Sequence, residues 1–150
     1  ERQLNFIFND KLNDVLPAFV NLGTLGLNLG MQGVQFTATS TVAENQTLSF
    51  PMYIHSIPNN KDNQDIVSMG TNSANMARKV IENSFEVLAI ELMAIIQAID
   101  YLKIQSTLSS KGLHSYKQLR NLVPVFKQDT VKYVDIEKIK EFIKNTDFEL

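Results

Sequence analysis

The side chains able to change protonation near neutral pH are two histidines, His55 and His114. They stand far apart, and neither has a second histidine or acids beside it at ligand spacing. A metal site needs converging ligands, so no metal is expected. Ser68, His55 and Asp65 supply the residue types of a nucleophilic triad, but no nucleophile elbow surrounds the serine. Asp62 and Asp65 could be paired acids; loop solvation and a favourable charge near a helix start explain them more simply. There is no cysteine, which excludes disulfides, thiolate catalysis and cysteine metal sites and fits a reducing compartment. Gly23, Gly26, Gly30 and Gly33 do not follow a phosphate-binding order and no Gly-Lys-Ser/Thr ending accompanies them. Asn45-Gln46-Thr47 matches a glycosylation sequon, read as chance because no secretory signal precedes it.

The densest polar run is Asn59-Asn60-Lys61-Asp62-Asn63-Gln64-Asp65, inside residues 51–66, which also hold Pro51 and Pro58. This reads as an irregular loop, long for a plain connection, and such loops are often functional. Something rigid must hold it. After it, Ile81, Phe85, Leu88, Leu92, Ile95, Ile99 and Leu102 recur at alternating steps of four and three. Val80, Val87, Ala94 and Tyr101 run beside them. This is an apolar stripe at heptad spacing, and with start signals at Ser68 and Asn72 it predicts one helix over about 68–104. So broad a stripe calls for other long helices, in this chain or another, to cover it.

Before the loop, residues 30–48 read as a helix ended by Pro51, with Thr37, Thr39, Ser40 and Thr41 requiring tertiary support. The four glycines fit either a loop to about Asn28 or a small-residue helix face; the loop is favoured. The opening Leu4-Asn5-Phe6-Ile7-Phe8 is helix or strand, closed by Pro17. Beyond Gly112, residues 114–122 predict a helix broken by Pro124, and Asp135 is expected to cap a last amphipathic helix carrying Ile136, Ile139, Phe142 and Ile143. The expected class is all-α: a long central helix in an antiparallel bundle, one unit over 1–150 with no internal boundary or repeat.

The 150 residues are 44% hydrophobic, enough for one core, and 20% charged. Net charge is −2, which argues against nucleic acid or an anionic membrane as partner. Residues 103–150 carry nine basic and six acidic groups, a mild excess that reads as a solvated helical surface. No run of 18 apolar residues exists to span a bilayer, and the chain begins at Glu1 without a signal peptide, so a cytoplasmic piece of something longer is expected.

Asn63-Gln64-Asp65-Ile66-Val67-Ser68-Met69-Gly70 resembles the Asn-Gln-Asp/Glu-x-x-Ser-Met/Leu-Gly stretch of the aromatic amino acid ammonia-lyases, the histidine, phenylalanine and tyrosine enzymes and related aminomutases. Glu1-Arg2, Leu16-Pro17-Ala18-Phe19, Gly26-Leu27-Asn28-x-Gly30, Ala43-Glu44-Asn45, Ser56-Ile57-Pro58, Leu88-Ala89-Ile90-Glu91 and Gln97-Ala98-Ile99-Asp100 resemble family segments in the same order. The likeness holds over residues 1–103; the tail is looser, though Val134-Asp135-Ile136-Glu137-Lys138 fits it.

The resemblance implies a homotetramer of mostly helical subunits that removes ammonia from an aromatic α-amino acid to leave an arylacrylate. Its electrophile is a methylidene-imidazolone (MIO) formed from Ala-Ser-Gly, and a tyrosine acts as base. No Ala-Ser-Gly occurs here. The chain is therefore expected to be a downstream part, inactive alone, with the remainder of a parent chain as partner. The family's loop supplies an acid or amide near substrate; the matching position is Gln64, with Asn63 beside it and Asn60 upstream. A neutral amide donates and accepts without adding charge. Histidine-specific relatives carry Asn-Gln-Glu-Asp-His, with glutamate at the Gln64 position, and a carboxylate suits an imidazole N–H better. Gln64 and Ile66 thus lean towards tyrosine or phenylalanine, or towards an aminomutase. A non-catalytic helical oligomerisation module is the alternative.

Overall fold

The computed structural model describes residues 1–146, with Tyr53 described by its backbone alone. Six α-helices occur among them: α1 Arg2–Phe8, α2 Asp10–Asn13, α3 Gln32–Leu48, α4 Gly70–Leu102, α5 Ser110–Leu122 and α6 Tyr133–Asn145. The all-α expectation stands, and the long helix ends within two residues of its predicted bounds at either end.

α4 is unbroken for 33 residues, about 50 Å at 1.5 Å per residue. Its sequence lacks proline and is rich in Ala, Ile, Leu, Met and Glu. Lys103 in left-handed conformation (φ 56°) stops it, with Lys103 N–H donating to the Asp100 carbonyl and Ile104 N–H to the Ile99 carbonyl. α3 runs antiparallel to α4, because the cross-links step in opposite directions. Thr41 Oγ1 donates to Glu86 Oε2 at 3.1 Å. One turn on, Asn83 Nδ2 donates to Glu44 Oε2 at 2.7 Å and to Asn45 Oδ1 at 2.9 Å. The threonine-rich helix gets its support from this pairing: Val34, Ala38 and Thr41, at helical spacing, are its buried face. α5 is likewise antiparallel to α4, with Tyr116 bonded to Asp100 and Arg120 to Gln97. Leu4, Phe8, Val20, Met31, Ile90, Met93, Ile96, Val123 and Ile139 are buried together in the core.

α4 has two apolar flanks, and its own chain covers the one the heptad stripe did not mark. Asn83, Ile90, Met93 and Gln97 are buried. Ile81 is 56% and Leu88 46% exposed, and Ile95 and Leu102 are exposed as well. Each exposed residue lies two positions before a buried one or, for Leu102, continues that row. Two residues turn a helix by about 200°, so the rows face opposite ways. Phe85, Leu92 and Ile99 fall half-buried between them.

Three local expectations need correction. The first element closes well before Pro17: α1 ends at Phe8 and α2 at Asn13. Asn9 Oδ1 accepts from Lys11 N–H at 3.1 Å, and Asn13 Nδ2 donates to the Phe6, Ile7 and Asn9 carbonyls, so side chains satisfy groups a continuing helix would use. α5 starts before Gly112, because Ser109 caps it by accepting from Gly112 N–H at 3.1 Å. Asp135 is not the cap of α6. It sits in the first turn, paired with Lys132 (3.6 Å) and Lys138 (3.8 Å), where its charge still suits the helix N-terminus.

The glycine-spaced stretch is loop, as favoured, and it is pinned by a residue about a hundred positions away. Asp129 accepts from Leu29 N–H at 3.1 and 2.9 Å and from Gly30 N–H at 3.2 Å. Glycine is required at Gly23, where an added Cβ would lie 2.0 Å from the Lys127 carbonyl oxygen.

Candidate functional site

The polar loop lies between α3 and α4. α3 closes with Ser49 N–H donating to the Asn45 carbonyl and Phe50 N–H to the Thr47 carbonyl. A single 3-10 turn, Met52–Ile54, follows Pro51, and the His55 ring packs on Phe50 with centroids 5.6 Å apart. The chain then doubles back. Asn59 and Gln64 exchange backbone hydrogen bonds, Asn59 N–H to Gln64 O at 3.0 Å and Gln64 N–H to Asn59 O at 3.4 Å. Between them Asn60, Lys61 and Asp62 are all left-handed, with φ of 53°, 55° and 61°. Asn and Asp tolerate this conformation better than most residues; a lysine between them does so less readily. The returning limb runs through Ser68 to Met69, also left-handed, and enters α4 at Gly70. Neither Ser68 nor Asn72 provides a side-chain cap.

Asn60, Asn63 and Gln64 are all exposed on this loop. The turn brings Asn60 and Asn63 together, Asn63 N–H donating to Asn60 O at 3.2 Å, and Gln64 adjoins them. Among the described residues none of the three side chains has a hydrogen-bond partner, so their amides are free to meet a ligand. The other combinations do not assemble. No hydrogen bond joins His55, Asp65 and Ser68, and the described residues contain no group of three or more His, Asp or Glu placed to hold a metal.

The residues that sequence reasoning missed are structural. Gln97 is fully buried; its Nε2 donates to the Phe126 carbonyl at 2.6 Å and its Oε1 accepts from Arg120 Nη2 at 3.2 Å. Arg120 also pairs with Asp100 and donates from Nη1 to the Val123 carbonyl at 3.1 Å. Asp100 accepts further from Tyr116 Oη and, at 3.0 Å, from Gln105 Nε2. The signal was present: an amide and a carboxylate three apart in an apolar helix, and a tyrosine and an arginine four apart in the next.

A cleft of about 400 Å³ lies elsewhere, lined by Gly33, Val34, Glu86, Lys132, Tyr133 and Ile136 among others and by none of the three loop amides. At its rim burial pushes Lys132 below the usual lysine range, while its ammonium sits 3.7 Å above the Phe126 ring and faces Asp135.

A helical scaffold led into by an amide-bearing loop is what the sequence resemblance anticipated. The profile of the family described as aromatic amino acid lyase matches residues 1–121. This chain belongs to that family. It is 40% identical over 148 residues to an MIO-dependent tyrosine 2,3-aminomutase of Streptomyces globisporus, a match covering 99% of this chain and 27% of that protein. It is 38% identical over 145 residues to a histidine ammonia-lyase of Staphylococcus saprophyticus, covering 97% of this chain and 29% of that protein. Among solved structures it superposes on phenylalanine aminomutase of Pantoea agglomerans with a TM-score of 0.90 and 32% identity, over 95% of this chain and 28% of that one. The chain thus spans between a quarter and a third of the length of the relatives it matches.

The aromatic amino acid lyase fold explains why family-like segments fall where they do. Ala43-Glu44-Asn45 grips Asn83, and Gln97 and Asp100 clamp α5. The residues present do not fit the prosthetic group named for the Streptomyces relative. The 150 residues contain no Ala-Ser-Gly, and the loop offers amides rather than an electrophile. Among the described residues, no helix is long and apolar enough to cross a membrane.

Proposed function

We propose that this chain is the scaffold and substrate-facing loop of a carbon–nitrogen lyase that removes ammonia from an aromatic α-amino acid. The observation that carries this reading is the loop, in a chain of this family: exposed, unpartnered amides at Asn60, Asn63 and Gln64 on a turn anchored to the start of α4. An amide there can hold a carboxylate or a phenol hydroxyl by donating or accepting. Gln64 supports tyrosine or phenylalanine as substrate over histidine, whose imidazole N–H is better met by a carboxylate. The MIO electrophile and the base come from another segment of the parent chain, so the 150 residues alone turn over nothing. The location is cytoplasmic and no metal takes part.

The exposed row Ile81, Leu88, Ile95 and Leu102 supports assembly as a homo-oligomer, a tetramer by family likeness. The 2,3-aminomutase outcome is the second reading. It is favoured by likeness to the Streptomyces enzyme, whose name specifies it, and it shares the same loop chemistry.

The test is to supply the protein carrying this chain together with its Ala-Ser-Gly segment with tyrosine, phenylalanine and histidine in turn. A conjugated arylacrylate absorbing in the ultraviolet is expected from tyrosine or phenylalanine; a β-amino acid product would select the aminomutase. No product from any of the three would overturn the enzymatic reading and leave the oligomerisation module.

A further inference from the structure

The segment that follows Gln64 is fastened by one side chain. Ser56 Oγ donates to the Asp65 carbonyl at 3.0 Å and accepts from Val67 N–H at 3.0 Å. On the other side of Gln64, its own backbone pairs with Asn59. Gln64 therefore sits between two fastenings, and the second consists of a single hydroxyl. Among the described residues no other side-chain hydrogen bond is made by any residue from 56 to 69. A hydroxyl suits this task because one atom both donates and accepts, so it bridges a carbonyl and an N–H two residues apart on the same limb.

We propose that Ser56 is a positioning residue for the substrate: it fixes the path of the limb that carries Gln64 and so the direction in which that amide is presented. This rests on the reading above, that Gln64 meets the substrate. Both hydrogen bonds of Ser56 lie at the exposed surface, so water takes its place when the hydroxyl is removed and the helical core is untouched. What is lost is the fixed course of the limb, and a binding group that is no longer held in place gives up part of its hold on the substrate.

The experiment compares Ser56→Ala, Ser56→Thr, Gln64→Ala and the Ser56→Ala/Gln64→Ala double variant in the whole enzyme, using whichever of tyrosine, phenylalanine or histidine it turns over. Ser56→Ala is expected to lower kcat/KM by about tenfold, mainly through KM. Ser56→Thr, which keeps the hydroxyl, restores it, and the melting temperature stays constant throughout. Because Ser56 acts through Gln64, the double variant is expected to be no worse than Gln64→Ala alone. Gln64→Ala harmful but Ser56→Ala silent, or the two penalties multiplying in the double variant, overturns the positioning role alone. A Ser56→Ala protein that unfolds while Ser56→Thr does not makes the hydroxyl structural and overturns it too. Gln64→Ala without effect overturns the substrate-facing reading, and the proposal with it.

Discussion

Gln97 and Gln64 are the same residue in opposite circumstances. Gln97 is fully buried on α4, and both ends of its amide are bonded, to Phe126 and to Arg120. Gln64 lies 33 positions earlier on an exposed turn with its amide unspoken for. Burying an amide without partners is expensive, so the buried one must be matched within the fold and becomes part of what holds it together. The exposed one is solvated whether or not the protein is folded, so it adds little to stability and stays available for a ligand. Their neighbourhoods follow suit: around Gln97 the helices are cross-linked by Arg120, Asp100 and Tyr116, whereas among the described residues the Gln64 turn is closed by its own backbone and Ser56 alone.

The contrast can be broken at several points. The largest effect is expected from Arg120→Met, which strips Asp100 of its nearly buried partner and frees the Gln97 carbonyl; loss of about 3–5 kcal/mol in urea unfolding is expected. A loss under about 1 kcal/mol would mean that the clamp is solvated and the contrast false. Gln97→Ala should cost about 2–4 kcal/mol, because it leaves the Phe126 carbonyl unpaired and opens a cavity. Gln64→Ala in the same assay should change stability by less than about 0.5 kcal/mol.

Gln64→Glu sharpens the functional half. In the whole enzyme it is expected to move selectivity towards histidine by about tenfold, or about 1.4 kcal/mol, read as a ratio of kcat/KM values; unchanged selectivity would remove the substrate argument. Leu88→Lys tests the uncovered row of α4. It should leave unfolding of the subunit within about 0.5 kcal/mol while shifting sedimentation towards smaller species, since a charge at the centre of an apolar contact is not tolerated.

The smallest effect concerns Glu82 and Lys144, bonded to each other between α4 and α6. The hydrogen bond to Lys144 holds Glu82 below the usual carboxylate range, and the same bond holds Lys144 above the usual lysine range. A lowered acid contributes above its unfolded pKa and loses that contribution as pH falls through the folded value; a raised base contributes below its unfolded pKa and loses it as pH rises through the folded value. The stability gap between wild type and Glu82→Gln should thus be widest near neutral pH and close towards both acid and alkali. A gap independent of pH would contradict the pairing.

Much of the fold was legible because its signals are local. The 68–104 helix announces itself by a sustained period and the absence of proline, and the loop before it by a polar cluster between prolines. Errors came where a side chain acts on a backbone that periodicity does not see: Asn9 and Asn13 ending the first helices early, Ser109 starting α5 ahead of Gly112, Asp135 within the first turn of α6 rather than at its cap. Of the candidate site, Asn60, Asn63 and Gln64 were found through family likeness rather than through any chemical pattern of their own. Ser56 was not singled out, since nothing in a serine's neighbours reveals which carbonyl its hydroxyl will meet nine residues later.

By itself the sequence determined that this protein is helical, that one long helix runs through it, and that an amide-rich loop leads into that helix. These follow from spacing and residue type, which act over one or two turns of chain. Only the tertiary structure decided which flank of α4 its own chain covers. Both flanks are apolar, and burial goes to the flank that α3, α5 and α6 reach with matching polar partners, as at Asn83 and Gln97. It also decided which glutamine is bonded into the structure and which is left exposed, because an amide's part in the fold is set by whether the groups brought near it satisfy it.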